Sequence, residues 1–189
     1  MVAFPQMLTT EWALGSLQDV AWTSNGAHRG GYTYRLCKMP EGGRADISED
    51  CFTKNVLEFA TPYTMIRWKE GDDVTDWLQF NQTDLSEGTH PPGSTWRPVG
   101  IFYKREVVVR KDTVVVPAGL APGDYVLGWR WDGSGGHQVW VSCSSVRLVA
   151  PAGARADEGG DTEEEEEEEE EAPLYTDEEY AELEEGFQY

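Results

Sequence analysis

The stretch Thr113–Leu148, TVVVPAGLAPGDYVLGWRWDGSGGHQVWVSCSSVRL, decides the fold. Three β-rich runs are separated by two punctuated turns. Val114–Val116 is a β-branched run, and Pro117–Gly123 is a loop of Pro and Gly. Asp124–Trp131 alternates, with Tyr125, Leu127, Trp129 and Trp131 on one face and Val126, Gly128 and Arg130 on the other. Gly133, Gly135 and Gly136 make the next turn. In the last run Val139, Val141 and Cys143 share one face, and Gln138, Trp140 and Ser142 the other. Val146 and Leu148 fall on the second parity. This change of parity predicts a bulge near Ser144–Ser145.

The same signals recur upstream. Leu17–Thr23 and Tyr32–Cys37 alternate as strands, and Thr64–Trp68 and Ile101–Val109 are further strands. Val56–Phe59 reads as a strand start, Ser48–Lys54 as one helical turn, and Glu70–Asp76 as an acidic turn. Gly88–Pro98 is irregular, because its prolines cannot join a ladder. About seven short strands with turns between them predict an all-β domain, an antiparallel β-sandwich of immunoglobulin or fibronectin III style.

Charge divides the chain. From Pro151 onward there are eighteen Asp and Glu against one Arg, a net of −17, which leaves −3 of the total −20 for residues 1–150. A near-neutral domain without a basic stripe is not a nucleic-acid binder. Glu163–Glu171 is an unbroken acidic run whose like charges repel, so residues 151–189 read as a disordered acidic tail. Leu174, Tyr175, Tyr180, Leu183 and Phe187 lie among acids near its end. They suit a motif that folds on a basic protein partner, or a tail that only solvates. No stretch is apolar and long enough to span a bilayer. The opening residues have no signal-peptide pattern, which predicts an intracellular protein if Met1 is the true start and a secreted one if the chain is part of a longer precursor.

Candidate chemistry is sparse. His28, His90 and His137 stand in predicted loops with no fixed metal spacing. Trp96, Trp129, Trp131 and Trp140 are candidates for stacking on sugar rings, against the alternative of burial in the core.

Four stretches carry a resemblance: AWTSNGAHRGGYTYRLC (Ala21–Cys37), EDCF (Glu49–Phe52), PPGSTW (Pro91–Trp96) and PAGLAPGDYVLGWRWD with QVWVSC (Pro117–Cys143). Together they resemble lytic polysaccharide monooxygenase-like, chitin-binding type-4-like proteins of algae, oomycetes and plants. The resemblance implies an immunoglobulin-like sandwich. It implies a copper ion held by a histidine brace and oxidative cleavage of chitin or cellulose. His28 takes the place of the brace's internal histidine, Gln138 that of the glutamine that positions the oxygen species, and Trp140 that of the axial aromatic. The other half of the brace, an N-terminal histidine, is not in this sequence. Cys37 and Cys51 take the places of a disulfide pair. Gly133 stands where the family has a further cysteine, leaving Cys143 without a partner. Two rival readings are a non-catalytic polysaccharide-binding module and an intracellular interaction protein that works through its acidic tail.

Overall fold

A computed structural model describes residues 9–25, 28–41, 43–85, 87–99, 107–133 and 138–151. The chain divides into the units Met1–Ala152 and Gly153–Tyr189, and every element below belongs to the first. The acidic tail beyond Pro151, residues 101–106 of the expected long strand, and His137 lie outside the described residues.

The fold is all-β. Among the described residues ten strands form two sheets: β1 (Thr10–Ala13), β2 (Leu17–Ser24), β3 (Gly31–Lys38), β4 (Tyr63–Glu70), β5 (Asp73–Val74), β6 (Leu78–Asn81), β7 (Arg97–Pro98), β8 (Val108–Val115), β9 (Gly123–Asp132) and β10 (Val139–Val149). One sheet has the order β1-β10-β9-β3-β7. The other has the order β2-β8-β4-β5, with β6 also on β4. Every pairing is antiparallel except that of β1, which runs parallel to β10. The sets β2-β8-β4 and β3-β9-β10 reproduce the two halves of an immunoglobulin sandwich.

The core lies between the sheets. Trp12, Tyr32, Tyr34, Tyr125, Trp131, Val146 and Leu148 of the first sheet meet Val20, Trp22 and Val114 of the second. The expected face of β9 is the inner one, since Leu127 and Trp129 pack on the same cluster. At the start of β9, the Tyr125 hydroxyl donates to the Ala121 carbonyl at 2.9 Å. This is the tyrosine corner of immunoglobulin-like domains, which ties the incoming loop to the strand.

β3 is buried on both faces. Its outer face is covered by the short helix α1 (Glu49–Phe52) and by the Cys37–Cys51 disulfide, the pairing implied by the resemblance. Phe52 lies over Gly128, and a Cβ there would come within 2.7 Å of its ring. Cys143 is a free, exposed thiol.

Three expectations need correction. β10 has no bulge: its ladder with β9 runs unbroken from Val139↔Asp132 to Leu148↔Gly123. One parity serves throughout, with Trp140, Val146 and Leu148 toward the core. Val139 and Val141 are instead 51% and 64% exposed. Second, Val56 and Phe59 make only isolated bridges, to Arg35 and Val114, and start no strand. Third, the valine runs on either side of Arg110–Asp112 belong to one strand. β8 carries Arg110 and Asp112 inward as buried charges.

Candidate functional site

The residues carried over from the resemblance meet at one end of the sandwich. The loop before β3 brings His28 there, and the start of β10 brings Gln138 and Trp140. The His28 and Trp140 ring centroids are 4.8 Å apart, although the two residues are far apart in sequence. Trp140 stacks on its cross-strand partner Trp131 at 4.4 Å. His28 also lies 5.8 Å from Trp131. His28 and Trp131 are thus much closer than if they covered opposite faces of Trp140, so the three rings form a compact triangle.

Local geometry holds that triangle in place. Gly30 has φ +77°, a left-handed backbone in which any side chain is strained, and a Cβ there would collide with the Asp132 carbonyl. The tight turn lets the Arg29 carbonyl accept the Trp131 indole N–H at 2.7 Å. The Val99 amide closes on the Gly30 carbonyl at 2.9 Å. Across the hairpin, the Gly133 amide donates to the Gln138 carbonyl at 2.9 Å. His28 and Gln138 are exposed and Trp140 is half-buried.

The proposed sugar platforms fare differently. Trp96 and Trp131 are only 3% and 4% exposed, so neither offers a ring face to a sugar. Trp96 packs near the Arg130 guanidinium, 5.9 Å from its ring, and donates to Ser94 Oγ at 3.0 Å. Trp129 is half-buried and packs on Trp22 at 4.6 Å. Trp140, half-buried like Trp129, is the one that also lies beside the exposed His28. His90 is exposed, in the loop before Pro91.

Beside this end, on the outer face of the first sheet, lies a charged network. Arg130 chelates Asp132 at 2.6 and 2.8 Å and donates to Glu49 at 2.6 Å. Arg35 pairs with the same Glu49. Burial pushes the Glu49 carboxyl upward, but hydrogen bonds and charge from Arg35 and Arg130 outweigh it and hold the group below its ordinary range. Sequence spacing could not find this network, because α1 and β9 contribute from distant segments.

Between β10 and β2 the sandwich is open along a groove of about 500 Å³. Trp12, Trp22, Leu127, Trp129, Ser142 and Ser144 are among its lining residues. The Trp22 and Trp129 indole N–H groups are buried and have no acceptor among the described residues.

A copper brace needs two imidazoles and an amine. Among the described residues no three His, Cys, Asp or Glu side chains gather closely enough to hold a metal ion. The described part of this end holds one imidazole, that of His28, and does not by itself make up such a set.

No protein-family model matches the chain, and no curated protein sequence matches it. Five chains of solved structures do. One belongs to a family 123 glycoside hydrolase from Clostridium perfringens that hydrolyses glycolipid glycans. It has 13% identity and a TM-score of 0.31, covering 77% of this chain and 24% of that one. The chain thus spans about a quarter of that hydrolase. Another is AggA, the major subunit of aggregative adherence fimbriae type I from Escherichia coli. It has 10% identity and a TM-score of 0.21, covering 75% of this chain and 90% of that one.

Proposed function

We propose that this domain is a polysaccharide-binding β-sandwich that contacts a β-linked glycan, chitin-like or cellulose-like, through its His28–Trp140 end. The observation that carries the reading is the approach of His28 to Trp140 at 4.8 Å, on an exposed end of the sandwich. An indole that is stacked from behind and tied by its neighbours loses little freedom when a flat sugar face settles on it. His28 and the Gln138 side chain, both exposed, supply polar groups at the rim for sugar hydroxyls. The Cys37–Cys51 disulfide fits an oxidising compartment, where such glycans are met. Copper-dependent oxidation is the second reading. It is favoured by the meeting of His28, Gln138 and Trp140 at one end.

The test is retention on insoluble chitin and cellulose, with and without a chelator. The wild-type domain should be retained in both conditions, and Trp140→Ala should lose at least tenfold in affinity while Trp96→Phe keeps it. Retention abolished by the chelator and restored by copper would favour the oxidative reading. Wild-type protein that washes off both polymers, or a Trp140→Ala variant that binds as well as wild type, would overturn the proposal.

A further inference from the structure

We propose that Asn81 is an N-glycosylation site and that the ring of Tyr63 carries the first sugar of its glycan. This covalent glycan is separate from the polysaccharide contact at the His28–Trp140 end, and the inference does not depend on that reading.

Asn81-Gln82-Thr83 is the one Asn-x-Ser/Thr triplet in the chain, and its middle residue is not proline. The triplet has a chemical meaning. A transferase of the secretory compartment holds the threonine hydroxyl and uses as donor an oligosaccharide on a polyprenyl diphosphate. The Asn81 amide nitrogen loses one proton and bonds the anomeric carbon of the first N-acetylglucosamine. The C–O bond from that carbon to the diphosphate breaks, the diphosphate leaves with the bonding pair, and the amide proton goes to solvent.

Such a site is usable where the folded domain leaves room for the product, and β6 does. Leu78 and Phe80 pack inward on Ile66, Trp68 and Val108. Gln79 and Asn81 therefore point out of the sandwich. Asn81 is the last residue of β6, and both it and Thr83 are exposed. Among the described residues neither the Asn81 carboxamide nor the Thr83 hydroxyl is used in a hydrogen bond. β6 has β4 on one side and no strand among the described residues on the other. A glycan there also screens an open strand edge from unwanted pairing.

The ladder between β4 and β6 selects the sugar's neighbour, because it sets Tyr63 directly opposite Asn81. The Gln82 amide donates to the Pro62 carbonyl at 2.8 Å, so the backbones of Pro62 and Gln82 face each other. The next pair, Tyr63 and Asn81, is then the non-hydrogen-bonded kind, with Cα atoms about 4.5 Å apart and side chains rising together from the sheet. Both lie on the outer face, since Thr64, the next residue of β4, is buried and reaches Asp112. The backbone of Tyr63 is pinned, for the Arg97 guanidinium and the Thr61 hydroxyl both donate to its carbonyl. A ring fixed in this way offers a flat face to the pyranose at little cost in freedom. The Cys37–Cys51 disulfide agrees with the chemistry, because disulfides form in the compartment where the transferase works.

The first test is peptide mapping of the protein from the cells that make it. An N-glycosidase that converts glycosylated Asn to Asp, used in heavy-oxygen water, should label Asn81 and leave Asn25 and Asn55 unlabelled. Unmodified Asn81 in that protein would overturn the proposal. The second test addresses the ring. The glycosylated full chain should melt about 3 °C above its enzymatically deglycosylated form. Thr83→Ala, which touches no hydrogen bond of the fold, should lose the glycan and melt like the deglycosylated chain. Tyr63→Ala should keep the glycan and lose the difference in melting temperature. A difference that survives Tyr63→Ala, or one that is missing from the wild type, would sink the role given to the ring.

Discussion

Arg97 and Asp112 form an ion pair in the sandwich interior, Nη1 to Oδ1 at 2.9 Å, with both side chains 0% exposed. The pair joins the sheets, for Arg97 is on β7 of the first and Asp112 on β8 of the second. Asp112 also accepts the Tyr32 and Tyr34 hydroxyls at 2.9 and 3.2 Å and the Thr64 hydroxyl at 2.6 Å. Arg97 donates further to the Tyr63 carbonyl at 2.6 Å, to the Thr61 carbonyl and to Asp84. A charge buried this deeply persists because its hydrogen-bonding capacity is used.

Removing one partner should therefore cost far more than an ordinary polar deletion. Asp112→Ala takes from Arg97 its buried carboxylate, leaving only the half-exposed Asp84, and leaves the Tyr34 hydroxyl without its acceptor. The expected loss is about 3–5 kcal/mol, read from the urea midpoint at unchanged m-value. Asp84→Ala, which removes a half-exposed contact at 3.3 Å, should cost under about 1 kcal/mol.

The same cluster predicts an alkaline limit. Burial, and then the negative charge of Asp112, push the Tyr32 and Tyr34 phenols well above their ordinary value. Above about pH 10 the unfolded chain releases these protons while the folded domain retains them. The stability they contribute is complete below that pH and is lost as pH rises beyond it. Phenolate absorbance should show two of the eight tyrosines ionising only together with unfolding. Their ionisation in the still-folded domain would contradict the assignment.

The sandwich was legible in the sequence where period-two alternation is strong, as in β2, β3, β4 and β9. It was less so where charge or loop composition masks a strand. Arg110-Lys111-Asp112 looks like a break, yet β8 passes through it because Asp112 finds Arg97 across the sandwich. β6 and β1 lack alternation that stands out from their surroundings. The parity of β10 went the other way from the simplest hydrophobic reading. Val139 and Val141 are exposed while Trp140 packs on Trp131, so the apolar alternation in Gln138–Cys143 did not tell which set faces in. At the candidate site, His28 and Trp140, the two residues the resemblance singled out, lie side by side. The resemblance could not tell which tryptophans are covered, since Trp96 is buried by a loop whose path no local pattern encodes.

The disulfide should be a measurable part of stability. Cys37 and Cys51 are 14 residues apart, with Cα atoms at 5.2 Å. In the chain-entropy account, a loop of that size restrains the unfolded state by about 3 kcal/mol. The bond also pins α1, whose Phe52 covers Gly128. Cys51→Ser should lower the melting temperature by roughly 10 °C. Adding a reductant to the wild type should reproduce the drop. A reductant that leaves the melting temperature unchanged would mean that the bond is not formed in solution.

Gly30 links the backbone to the candidate site, and its substitution separates the site from the fold. The left-handed φ of +77° alone disfavours alanine, and the new methyl would strike the Asp132 carbonyl at the end of β9. The loop must then move outward, which breaks the hydrogen bond from the Trp131 indole to the Arg29 carbonyl and lifts His28 away from Trp140. Expected losses are about 1–3 kcal/mol of stability, together with the ring-current shift that Trp140 imposes on the His28 imidazole protons. NMR reads that shift directly. In the wild type the His28 ring signals should lie upfield of their unstructured positions, and in both Gly30→Ala and Trp140→Ala they should return toward them. The β3–β9 amide signals should stay in place. An unshifted His28 in the wild type would show that the two rings do not meet in solution.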